Sequence, residues 1–172
     1  LDIEFRAGTE VSFALGKQAE PEAEAEPVVM SLEDVRERFR TVAEWFNPQL
    51  GPDNLTGKDA ERYALIAEAQ QDARENIIEA EREEFELLNP DDTWGEAEQA
   101  RAERIADEAT DLTELSNPTI IVIGDVGENF TASEFSLVTT VSASDLVAQV
   151  VQTMFADVMP VQQRIGFSSD DS

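Results

Sequence analysis

The sequence predicts an α+β fold, on three observations. Apolar residues alternate with polar ones at both ends of the chain, and they recur at spacings of three and four through its middle. The charge is concentrated in that middle: residues 18–114 hold 28 acidic and nine basic side chains, a net −19 of the whole chain's −26. The expected architecture is a small sheet from an N-terminal hairpin and C-terminal strands, backed by an amphipathic C-terminal helix. An acidic helical hairpin lies between the two strand-forming ends.

Residues 1–17 are read as a β-hairpin. Leu1, Ile3 and Phe5 alternate with charged residues, and after Ala7-Gly8-Thr9 the alternation resumes with Val11, Phe13 and Leu15. A two-stranded hairpin is not stable alone, so its apolar face must cover something else. Residues 18–27 read as an acidic linker of Glu, Ala and Pro that self-repulsion keeps extended.

The acidic helical region spans 28–114. Its first helix has Ser31 as N-cap with Asp34 three residues on, and Met30 and Val35 form the staple pair. Val35, Phe39, Val42 and Phe46 share one face. After a Pro- and Gly-containing loop, a helical pattern runs from about Lys58 to Leu88, with Tyr63, Ile66, Ala73, Ile77, Ala80 and Leu87 as a narrow stripe. Asn89-Pro90 ends it, and Thr93 with Glu96 opens a partner helix through Ala97, Ala100, Ile105, Ala109 and Leu112. So short a connection makes an αα-hairpin, although the stripe could also pack against another chain.

Residues 115–167 form the expected strand–strand–helix core, followed by a disordered tail at 168–172. Thr119 to Ile123 is a β-branched run that reads as a strand buried on both faces, and Phe135, Leu137, Thr139 and Val141 alternate as a second. Ser142 with Asp145 is the expected cap of a helix carrying Leu146, Val147, Val150, Val151, Met154, Phe155 and Val158, stopped by Pro160.

Composition excludes much chemistry. The 172 residues include no Cys and no His, which removes disulfides, thiol catalysis, Cys/His zinc sites and any mechanism needing an imidazole. The net charge disfavours nucleic acid, whose phosphates require a basic face. No run is long and apolar enough to cross a membrane, and no signal peptide is evident. Position 1 is Leu, so the chain is either processed or numbered from an internal residue. Two Lys against ten Arg, with so many carboxylates, suit a protein of a salt-adapted host, where salt screens the repulsion. The same bias also follows from a GC-rich genome.

Gly124-Asp125-Val126-Gly127 after a strand is similar to the GDxHG start of the metallophosphatases, whose Asp binds metal. The position which that family fills with His is Gly127 here, and no other His exists to complete the centre. A tight turn is the reading the residues favour. No Walker A sequence, GxGxxG or EF-hand loop is present. Glu81, Glu83, Glu84 and Glu86, like Glu20 to Glu26, read as solvated charge rather than catalytic pairs. No cofactor, metal or catalytic residue is assigned, and only weak surface association of cations is expected. Asn54 and Asn129 begin glycosylation triplets.

The expected function is a non-enzymatic structural or assembly subunit of a homo- or hetero-oligomer, its partners other protein subunits. Its concrete version is a head, neck or tail protein of a tailed virus, found in the virion or cytoplasm of a halophilic or marine host. The candidate interface residues are Ile3, Phe5, Val11, Phe13, Tyr63, Ile66 and Ile77. The alternatives are an acidic adaptor binding a cationic partner and, third, an acidic enzyme with a carboxylate site.

Overall fold

The computed structural model describes residues 8–17, 26–50, 55–158 and 166–169. In chain order the strands and helices are β1 (Thr9–Ala14), β2 (Gly16–Lys17), β3 (Glu26–Pro27), β4 (Met30–Ser31), α1 (Leu32–Trp45), α2 (Gly57–Leu88) and α3 (Glu96–Ala109). They continue with β5 (Thr119–Val122), β6 (Thr131–Ala132), β7 (Glu134–Thr139), α4 (Ser144–Met154) and β8 (Gly166–Ser169). The fold is α+β, as the periodicities imply.

The main sheet has the order β5-β7-β1-β8, with every neighbouring pair antiparallel. Strand β1 is therefore interior. The expected second arm of the N-terminal hairpin is present, but its ladder partners are β7 and β8 from the far end of the chain. The first arm, with Ile3 and Phe5, lies outside the described residues. Two boundaries move, one by pairing across the length of the chain and one by a local hairpin. Ser168 and Ser169, expected in the tail, pair with Glu10 and Thr9. Glu26 and Pro27, expected in the linker, pair with Lys17 and Gly16.

One face of the sheet is covered. Val11, Phe13, Ile120, Phe135 and Leu137 point into a core closed by α1 and α4. At its centre Phe155 packs 5.0 Å from Phe13 and 5.4 Å from Phe39, and Phe135 lies 5.8 Å from Phe13. The caps differ in quality. Ser31 Oγ accepts from the Asp34 N–H at 3.2 Å, as expected for the start of α1. Helix α4 is instead capped at Ala143, one residue beyond Ser142, and the Ala143 N–H donates to Ala109 O at 3.1 Å. Helix α3 begins after Gly95, whose N–H donates to Glu98, so Thr93 and Glu96 are not its cap pair.

Arg38 fastens α1 to the end of α4. Its guanidinium donates to both carboxylate oxygens of Asp157, at 2.8 and 3.2 Å, and to Met154 O at 2.8 Å. It also lies 5.1 Å from the centre of the Phe155 ring. Arg38 holds the Asp157 carboxyl below its ordinary value, the direction of an ion pair rather than a proton donor. On the exposed side of α1, Glu33 and Glu37 raise the pKa of Arg40.

Helices α2 and α3 form the expected hairpin. Ala102, Ala106 and Ala109 are buried between them, Arg74 bridges to Asp107 at 2.7 Å, and Gln70 donates to Thr110 O at 2.9 Å. Ala97 and Ala100, expected on that face, are exposed. Alanine is a good helix former on any face, so its position alone cannot orient a helix.

Candidate functional site

Helix α2 has 32 residues, and Ile66 is the only one of them that is buried. At 1.5 Å per residue it is about 48 Å long. Near its start Tyr63 packs on Phe46 and Trp45, with ring centres 5.0 and 6.4 Å away, and Ala69 and Ala73 rest on the core. Beyond Ile77 no residue of α2 is buried; Ile78, Glu81 and Phe85 are half-buried there, and Glu81 and Phe85 lie beside Glu98, Arg101 and Ala102 of α3. The last turns thus form an arm roughly 17 Å long. At its tip Phe85 meets Trp94 edge-on at 5.5 Å, and Trp94 donates to Gln99 at 2.9 Å. Leu87 and Leu88 stand 81% and 68% exposed beside this cluster, among Glu83, Glu84 and Glu86.

Where the arm meets the core there is a groove of about 520 Å³. Ala73, Ile77, Ile105 and Leu146 give it an apolar floor, and Asp72 and Asp145 stand on its rim. Small side chains open it, since Ala on α2 and α3 leaves the space that Leu would fill. No Lys or Arg lines it among the described residues.

The third surface is the edge of the sheet. Among the described residues β5 pairs on one side only, with β7; on its outer face Ile121 (50%) and Ile123 (38%) are exposed, while Ile120 on the opposite face is buried. This corrects the expectation of a strand buried on both faces, because the core helices cover only one face. Val138 on the same outer face is exposed as well, and the following loop carries Val126 and Phe130 at the surface.

That loop holds the Gly124-Asp125-Val126-Gly127 segment. Gly124 has φ +85°, where a side chain would be strained. The Gly127 N–H donates to Thr131 O at 2.8 Å, and Thr131 Oγ1 donates to Glu128 O at 2.9 Å. The segment is a turn closed on itself, with Asp125 in solvent. Among the described residues no three His, Cys, Asp or Glu side chains converge on a metal-sized space.

The candidate interface residues divide sharply. Val11, Phe13 and Ile66 belong to the chain's own core, and Tyr63 packs against it half-buried. Only Ile77 borders an open surface, the groove. Ile3 and Phe5 lie outside the described residues, as does Asn54. The sequence pattern does not mark Leu87, Leu88 or Ile121 as surface features. A Leu-Leu pair just before the Asn-Pro stop was a usable signal for the tip, since the stripe leaves at least one of them unpartnered. Nothing local marked Ile121, because strand order decides which strand is an edge.

Comparisons with protein-family models, with characterised proteins and with solved structures find no match to this chain. Among the described residues no helix is long and apolar enough to cross a membrane.

Proposed function

We propose that the chain is a non-enzymatic structural or assembly subunit of a larger protein complex. The observation that carries this reading is the arm: a 32-residue helix with one buried residue, ending in Leu87 and Leu88 exposed among carboxylates. Such an arm costs chain entropy and adds little to its own core. Ordering it is productive where its tip meets another subunit. A head, neck or tail component of a tailed virus from a salt-adapted host is the concrete form of this reading. Its setting rests on composition.

Size-exclusion chromatography with light scattering, at 0.1 M and at molar salt, tests it. The expected result is assembly beyond two copies in molar salt, halted by Leu87→Ser with Leu88→Ser. A strictly monomeric chain at every salt concentration counts against it.

The groove favours a second reading, an acidic adaptor. Its apolar floor and its rim of Asp72 and Asp145 suit a partner segment carrying both apolar and cationic side chains. Affinity for such a partner falls as salt rises.

A further inference from the structure

We propose that the free edge of β5 pairs with the same edge of a second copy, joining two four-stranded sheets into one. The proposal deepens the assembly reading and rests on it. Strand β5 is bonded to β7 on one side, and no strand pairs its other side among the described residues. Protein edges are ordinarily protected by charge, by Pro or by a bulge. Among the described residues that protection is missing here. Asn117 to Ile123 is seven consecutive residues without a charge, in a chain with 38 acidic side chains, and its only Pro precedes the strand.

The charge selects the occupant. Two copies of a chain with net charge −26 repel, so like can meet like only where the surface is uncharged. The arm tip and the groove rim are acidic and fail that condition until molar salt screens their carboxylates. The β5 edge satisfies it, and it offers a cationic partner nothing to recognise. The run is also self-complementary about Ile121. In an antiparallel two-fold pairing Ile121 faces its counterpart, Thr119 faces Ile123, and Ile120 faces Val122. Thr119, Ile121 and Ile123 then cover one another on the outer face, next to the exposed Val138. The contact closes at two copies, so growth beyond a dimer requires the arm as a second contact.

Because the chain has no Cys, single introduced thiols report unambiguously. Directly opposed strand residues have Cα atoms about 4.5–5.5 Å apart, within disulfide range. Full-length Ile121→Cys, oxidised in 2 M NaCl, is expected to run as a covalent dimer. Val29→Cys, exposed between β3 and β4, is expected to stay monomeric. Ile121→Lys should weaken dimerisation at least about tenfold with unchanged circular dichroism. The wild-type dimer fraction should rise with salt, as screening shortens the reach of the repulsion from about 10 Å at 0.1 M to 3 Å at 1 M. Absence of the Ile121→Cys cross-link overturns the proposal, even if Ile121→Lys fails to fold. So does a cross-link of Ile121→Cys to Ile3→Cys in preference to itself, which would mean that residues 1–7 of another copy fill the edge. Assembly that persists without the self-cross-link overturns the edge pairing and leaves the assembly reading standing; a monomer at every salt concentration overturns both.

Discussion

Replacing Arg38 by Met keeps the apolar stem and removes the guanidinium, so it isolates the clamp between α1 and the end of α4. Three interactions disappear together. The two-pronged bond to Asp157 is charge-assisted, but the pair is 26% and 42% exposed, which puts it near the upper end of the surface range, about 1 kcal/mol. The contact over Phe155, at 5.1 Å, adds about 0.5 kcal/mol. Met154 O loses a donor and is left to water, for about 0.5 kcal/mol more. The expected loss is about 2 kcal/mol. With a urea m-value of about 2 kcal/mol/M, the midpoint falls by about 1 M, read from circular dichroism at fixed ionic strength. The loss also depends on pH. A lowered carboxyl pKa stabilises the fold above the unfolded value, near 3.8, and this stabilisation disappears as pH falls through the folded value. The gap between wild type and Arg38→Met should therefore be constant at neutral pH and shrink below about pH 4, with the Phe155 and Met154 share remaining. A midpoint shift under about 0.25 M, or a gap that widens in acid, refutes the reasoning.

Three further outcomes follow from the same geometry. Phe39→Ala, which empties a fully buried site against Phe13 and Phe155, should cost about 3–5 kcal/mol in urea unfolding. Ser31→Ala removes the acceptor at the start of α1 and should cost about 1 kcal/mol, seen as a smaller drop in the same midpoint. Leu87→Ser with Leu88→Ser should change monomer stability by no more than about 0.5 kcal/mol, measured by thermal unfolding, because both residues are solvent-exposed.

Where a signal was local, the sequence carried it. Ser31 with Asp34, the face of Val35, Phe39 and Val42, and the alternation of Val11, Phe13 and Leu15 all stand in the structure as the pattern implied. Leu146, Val147, Val150 and Val151 likewise face the core. The pattern misleads where it is permissive. Alanine fits any helical face, so the periodicity puts Ala97 and Ala100 on the covered side of α3, and Ala80 and Leu87 in the α2 stripe, where the structure leaves all four exposed. An exposed hydrophobic patch and a buried one look alike in sequence until the neighbours are known. Val11, Phe13 and Ile66 have the composition of an interface and are core.

The sequence by itself determined the α+β class, the helical hairpin between two strand-forming ends, and the confinement of most of the charge to residues 18–114. These follow from periodicity and composition, which are properties of neighbouring residues. Only the tertiary structure decided that β1 lies between β7 and β8, that β5 is an edge, and that the arm outruns the core beyond Ile77. The first is set by segments that meet across more than a hundred residues of chain, and the other two by where the remaining elements pack around that core. Pairing at that range is selected by the packing of the whole core, so no single window of sequence contains it.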